Sequence, residues 1–186
     1  MIEIPLTQGY VTVVDDEDAA WVSQWNWSAL VTASGLIYAT GRPYEKLPYG
    51  ARAKNKPPKF LLHRFLLGLT PTDKVKVDHR DLDGLNNQRS NLRLSTQQQN
   101  RCNQPKKKGT YSSVFKGVSW NARQGVWHAK IETHGVIRYA GSFHDEVAAA
   151  LAYDRAAHTY HKEFARLNFP ENDQYLVGWT HHKDLA

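Results

Sequence analysis

Residues 75–103 read VKVDHRDLDGLNNQRSNLRLSTQQQNRCN, and the fold turns on this stretch. Val75–Val77 predicts a strand ending in Asp78-His79, Asp83-Gly84 reads as a turn, and Asn91–Leu94 returns as a second strand. Ser95 or Thr96 then caps a short helix containing Asn100. Such a two-strand, one-helix unit brings a carboxylate, an imidazole and a carboxamide to one end. Neighbouring residues of a strand point to opposite faces, so Asp78 and His79 must sit where the strand twists or ends.

The residue types suit phosphodiester cleavage. That reaction needs a hard cation on the scissile phosphate, a base for the attacking water and a group that holds the base in place. Asp78 and Asn100 offer hard oxygen donors, too few for a full protein cage but suited to Mg²⁺, which keeps waters and substrate oxygens in its shell. His79 is the natural base, because an imidazole titrates near neutrality. Singly, Asp78, His79 and Asn91 also suit turns and caps; the chemical reading rests on their joint order.

Working outward toward the N-terminus, Ile2–Leu6 and Tyr10–Val14 flank Thr7-Gln8-Gly9 and predict a hairpin. Asp18–Trp25 reads as a short helix, Leu36–Thr40 as a strand and Arg42–Lys59 as a loop. Phe60–Leu69, FLLHRFLLGL, is apolar enough for a buried helix that stops at Gly68 and Pro71, and His63 inside it reads as a packed residue rather than a ligand.

Asp78-His79 followed by Asn91 in SNLR and Asn100 in QQN resembles the HNH nuclease motif in its D-H…N…N form, as in phage and intron-encoded homing endonucleases of the ββα-metal class. The similarity runs from about Ile2 to Asn103 through IPLTQGY, VDDEDAAWV, LHR, VDHRDLDGLNNQRSNLR and QNRCN. The resemblance implies that His79 is the general base, that Asp78 and Asn100 hold a divalent metal, Mg²⁺ or Mn²⁺, and that Asn91 orients the base through the loop backbone. Asn86, Asn87 and Arg89 compete for that supporting role, and the last motif position is Asn rather than the eponymous His.

Toward the C-terminus, Phe115–Trp120, Val126–Thr133 and Ile137–Ser142 read as three strands of an antiparallel meander. Asp145 is placed to cap a helix over Glu146–Tyr160, whose small residues imply close packing on the sheet. KGVSW, WHAKI, GSF, AAALAYDRAA and FARLNFP resemble the Apetala/ethylene-response-factor (AP2/ERF) DNA-binding domain, in which the sheet enters the major groove with the helix behind it. The long side chains on or beside the strands, Lys116, Trp120, Arg123, Trp127, Lys130, Glu132, Arg138 and Tyr139, are the expected DNA contacts, with one of the two tryptophans assigned to packing. Several contact arginines of the plant domains are here Lys116, Ser119 and Asn121, so no base preference carries over.

Charge and composition agree with a polyanionic partner. Residues 1–41 carry five acids and no Lys or Arg, whereas residues 42–110 carry sixteen bases and five acids, a balance of +11. Basic stretches attract phosphate backbones by counterion release. The lone Cys102 excludes a disulfide scaffold or a Cys-rich zinc site. No apolar run approaches a membrane span, and MIEIPLTQGY lacks signal-peptide features. A cytoplasmic protein of a bacterial or phage-infected host cell is expected, with double-stranded DNA as partner, no membrane and no small-molecule cofactor.

The expected fold class is α+β: a ββα-metal HNH nuclease domain plus a three-stranded antiparallel sheet with one packed helix of the AP2/ERF type. The expected boundaries are 1–105 for the nuclease with a β-rich extension over 1–59, a basic linker at 106–113, the DNA-binding domain at 114–170 and a tail at 171–186. The expected function is site-directed DNA cleavage of the homing type, by a nicking monomer or a homodimer that cuts both strands. A non-catalytic sequence-specific DNA-binding regulator is the alternative. An RNA-binding module is a weaker third, since the sheet lacks the aromatic pairs of single-strand stacking platforms.

Overall fold

The computed structural model describes residues 1–42 and 59–172. The loop expected over Arg42–Lys59 and the tail expected at 171–186 lie almost wholly outside the described residues. The chain divides into two compact units, Met1–Thr96 and Gln97–Ala186. Among the described residues no helix is long and apolar enough to cross a membrane.

The first unit opens with the expected hairpin, β1 (Ile2–Pro5) antiparallel to β2 (Val11–Val14). Helix α1 (Asp16–Val22) follows. A three-stranded sheet is built from β3 (Trp27–Val31), β4 (Ile37–Gly41) and β5 (Phe60–Leu61), with β4 in the middle. Strand β3 is not expected from the sequence, where Ser28 breaks the short apolar run. The helix expected over Phe60–Leu69 is shorter: Phe60 and Leu61 pair with β4, and α2 covers only Leu62–Leu66. Ile4, Val14, Val22, Trp27, Leu62 and Leu66 form much of its core. Val14 and Leu62 are fully buried, and such burial contributes roughly 1.5–3 kcal/mol per side chain.

The last two strands of this unit are β6 (Lys76–His79) and β7 (Leu92–Ser95), antiparallel, with Asp78 opposite Arg93 and His79 opposite Leu92. The connection between them is fastened to the N-terminal elements. Val13 N–H donates to Leu85 O (2.9 Å), and Asn87 N–H donates to Val13 O (2.8 Å), so β2 adds a parallel bridge to the connecting loop. Asp18 is buried and takes a two-pronged grip from Arg89, Nε and Nη2 each at 2.7 Å, while Asp15 accepts from Arg89 N–H at 2.7 Å and from Gln88 Nε2 at 3.1 Å. Two acids of the acid-only N-terminal stretch thus anchor the loop that joins β6 to β7.

The second unit begins with α3 (Gln97–Asn103), then the meander β8 (Val118–Asn121), β9 (Val126–Thr133) and β10 (Val136–Phe143), with β9 in the centre. Helix α4 (Glu146–His161) is capped by Asp145, whose carboxylate accepts from Ala148 N–H at 2.7 Å, and it lays Ala149, Ala150, Tyr153 and Ala157 against Val118, Ala129 and Ile131. Gly117 has φ +74°, and any side chain there would run into the Tyr153 ring. Buried Asp154 receives Asn168 N–H (2.8 Å), Phe169 N–H (2.9 Å) and Asn168 Nδ2 (3.1 Å), which ties the closing segment to the helix.

The division falls ahead of the expected linker. The Lys116 ammonium donates to the carbonyls of Cys102 and Gln104, both at 2.6 Å, and so caps the end of α3 from within the second unit. Segment 106–113 is itself engaged: Lys106 Nζ donates to Ser113 O (2.9 Å) and Phe115 O (2.7 Å) and lies 4.8 Å from the Tyr111 ring centre.

Candidate active site

Strand β6 ends at His79, so the Asp78-His79 pair falls where the chain leaves the ladder. Both residues are buried, at 3% and 6% exposure. Asp78 is met by Arg93, directly across the ladder, with Nε at 2.8 Å and Nη2 at 2.6 Å from Oδ2. Arg93 is buried too, so this is an ion pair out of reach of bulk solvent.

The His79 ring is surrounded by side chains from other parts of the unit. His63 of α2 stacks edge-on against it with 4.9 Å between ring centres, and Asn87 Oδ1 lies 3.4 Å from Nε2. Tyr38 closes on both imidazoles, its ring centre 5.7 Å from that of His63 and 6.1 Å from that of His79. Burial drives the His79 pKa below its ordinary value despite the Asn87 bond and the nearby carboxylates of Asp81 and Asp78. It pulls His63 down to about 3, helped by His79 and Arg64. Both rings are therefore neutral near pH 7. His63 is packed, as the sequence suggests, and the ring it packs against is the candidate base.

Asn91 bonds to the loop that follows His79. Its side chain accepts from Asp81 N–H (3.1 Å) and donates to Asp81 Oδ1 (2.9 Å) and Asn86 O (2.8 Å), while its own carbonyl accepts from Arg80 N–H (2.9 Å). It acts on the loop that follows the histidine. Burial would raise the Asp81 carboxyl, but the bonds from Asp83 N–H, Asn91 and Asn86 outweigh it and hold it below the usual range. Asn100 stands in the middle of α3, half-buried; one residue, Thr96, separates β7 from that helix. The strand–loop–strand–helix order along the chain is the one expected.

The sequence reading missed Arg93, and it missed Thr12, whose hydroxyl sits fully buried between Leu85 O and Asn87 Nδ2, each at 2.7 Å. Arg93 is placed by the strand pairing, which Asn91–Leu94 already implied. Nothing local marks Thr12.

In the second unit the register sorts the expected DNA contacts into two faces. Ala129, Ile131 and Thr133 turn toward α4, so His128, Lys130 and Glu132 turn away from it. Tyr139 is paired with Lys130 and stacks edge-on against His128, 5.1 Å between centres, so it shares this open face. Arg123 is exposed in the turn between β8 and β9. The other expected contacts lie elsewhere. Arg138 pairs with Ile131 and rests over the Tyr160 ring of α4 at 5.2 Å. Lys116 is spent on the carbonyls after α3, and burial lowers its pKa to about 8. Trp127 packs against the core, and Trp120, 42% exposed, meets it edge-on at 5.0 Å. His128 enters the open face in their place, bonded to Gln124 Oε1 (2.9 Å) and near Asn121 Nδ2 (3.2 Å).

The family model described as HNH endonuclease matches residues 65–102, a span that contains Asp78, His79, Asn91 and Asn100. An uncharacterised HNH endonuclease of Acanthamoeba polyphaga mimivirus is 36% identical to the chain over 115 residues, which is 59% of this chain and 58% of that protein. The chain thus spans little more than half the length of that relative. No solved structure matches the chain significantly.

Proposed function

We propose that the chain is a divalent-metal-dependent DNA endonuclease of the HNH, homing type. The observation that carries this reading is the placement of Asp78 and His79 at the end of β6, inside the matched span, with the imidazole held neutral by burial. A neutral imidazole can take the proton of a water as its oxygen bonds to phosphorus and the P–O bond on the far side breaks. Asp78 and Asn100 would hold the metal, and their oxygens fit a hard cation such as Mg²⁺ or Mn²⁺ that keeps water and phosphate oxygens in its shell. Bound there, the ion would stabilise charge on the phosphate and the leaving oxygen. Asn91 sets the path of the loop behind the base.

The sheet of the second unit, in this reading an AP2/ERF-type module, meets double-stranded DNA through its open face. Lys130, Tyr139, His128 and the turn residue Arg123 are the contacts that the register favours. Lys130 and Arg123 would follow phosphates, whereas His128 and Tyr139 reach for base edges.

One observation favours a second reading, a non-catalytic DNA-binding protein: Arg93 already neutralises Asp78 in the buried ladder. Supercoiled plasmid incubated with the protein and Mg²⁺, Mn²⁺ or EDTA separates the two. Metal-dependent open-circular product means a nicking monomer, and linear product means paired cuts by a homodimer. Intact plasmid in both metals, with DNA still bound, would leave the binding reading standing.

A further inference from the structure

We infer that Thr12 and Asn87 form a hydrogen-bond relay that fixes the His79 imidazole in the tautomer protonated at Nε2, leaving Nδ1 as the proton-accepting atom. Its catalytic meaning rests on the nuclease reading above; its chemistry does not. The direction of every bond in the relay is set by its far end. Leu85 O can only accept, so the Thr12 hydroxyl at 2.7 Å donates its one proton there. The Thr12 oxygen is then an acceptor, and it takes a proton from Asn87 Nδ2 at 2.7 Å. Asn87 Nδ2 is also 3.3 Å from Gly84 O, a second acceptor, so the amide cannot be flipped without facing two oxygens with its own oxygen. Asn87 Oδ1 is thereby turned to His79 Nε2 at 3.4 Å, and that nitrogen must carry the hydrogen.

Two features make the relay rigid. Thr12 and Asn87 are fully buried, and neither can exchange its partner for bulk water. The backbones on either side are locked by Val13 N–H to Leu85 O and Asn87 N–H to Val13 O. The 3.4 Å contact is long, as hydrogen bonds to catalytic groups often are before substrate binds. Thr12 lies outside the span matched by the HNH endonuclease model, so the N-terminal hairpin, and not the motif alone, completes the setting of the base. Thr12 and Asn87 are positioning residues: neither touches a reacting atom.

The test uses the full chain. Long-range ¹H–¹⁵N correlation of the imidazole nitrogens, without DNA or metal, should show His79 protonated at Nε2 alone between pH 7 and 8. A ring protonated at Nδ1, or an even mixture, overturns the relay. In Thr12→Val the hydroxyl is lost at nearly constant volume, and His79 should become a mixture of tautomers; Thr12→Ser should restore the single form. In cleavage assays Thr12→Val should lower kcat about 10–100-fold with KM for DNA unchanged, and Thr12→Ser should recover most of it. A Thr12→Val protein with wild-type kcat and a single Nε2 tautomer also overturns the relay. If Thr12→Val does not fold, the wild-type tautomer still decides. A locked Nε2–H ring in a protein that cuts nothing supports the relay and removes the nuclease reading, so the two fail separately.

Discussion

Asp78 and Arg93 face each other across the β6–β7 ladder and are buried together, with both guanidinium contacts directed to the same carboxylate oxygen at 2.8 and 2.6 Å. A buried pair of this kind is costly to break from one side, because the remaining charge has no solvent to turn to. Arg93→Met should therefore cost about 3–5 kcal/mol of unfolding free energy, whereas the double replacement Asp78→Leu, Arg93→Met should cost clearly less. Urea unfolding of the three proteins measures this. Equal losses in the single and double variants would mean that the pair is not coupled.

His79→Ala should reduce cleavage by ~10²–10⁴ and leave DNA affinity within about tenfold, since loss of a general base slows the chemical step without removing phosphate contacts. Single-turnover cleavage and equilibrium binding of the same variant check it. Undiminished cleavage would take the base role away from His79.

His63 and His79 both have folded-state pKa values below the ordinary 6.5, His63 at about 3. In the unfolded chain each takes up a proton as pH falls through about 6.5, while the folded form stays neutral. The contribution of each ring is therefore complete above pH 6.5 and declines below it; for His63 the loss continues as pH falls toward 3, by up to about 1.4 kcal/mol per pH unit. His63→Phe should flatten this part of the stability–pH curve. A His63 proton signal that titrates between pH 6 and 7 in the folded protein would contradict the burial argument.

Lys130 and Arg138 are adjacent to the same sheet but on opposite faces, and they should behave differently with DNA. Lys130→Ala should weaken binding and reduce the slope of log K against log salt by about 1, as expected for one lost phosphate contact. Arg138→Ala should leave that slope unchanged and lower stability modestly, through the lost contact with Tyr160. Fluorescence anisotropy across a salt series distinguishes them. The reverse pattern would place the DNA on the helix side of the sheet.

Much of the fold could be read from local pattern. Val126–Thr133 alternates between core and surface along its second half, and Glu146–His161 carries its alanines toward the sheet, so both elements stand close to where the sequence puts them. The place of Asp78 and His79 at the end of a strand was legible because adjacent residues need no long-range information. Thr12 was not: it lies 75 residues from Asn87, and its role follows from a parallel bridge between a hairpin and a loop that no periodicity announces. The face that Arg138 takes was hidden for a related reason. Strand β10 is exposed over Val136–Tyr139 and shifts register between Tyr139 and Gly141, so the face of each residue is set by its partner on β9 and not by its own alternation.

The ammonium of Lys116 on the carbonyls of Cys102 and Gln104 determines where this chain can be recombined. The polar stretch at 106–113 looks like the natural joint for exchanging the C-terminal sheet, but a graft made there would separate α3 from the lysine that closes its last turn. A chimera with a foreign sheet should keep helix α3 only if the incoming module presents a cation at the same place, or if the crossover is made beyond Lys116. The helix and its clamp would therefore have to move together, as one block.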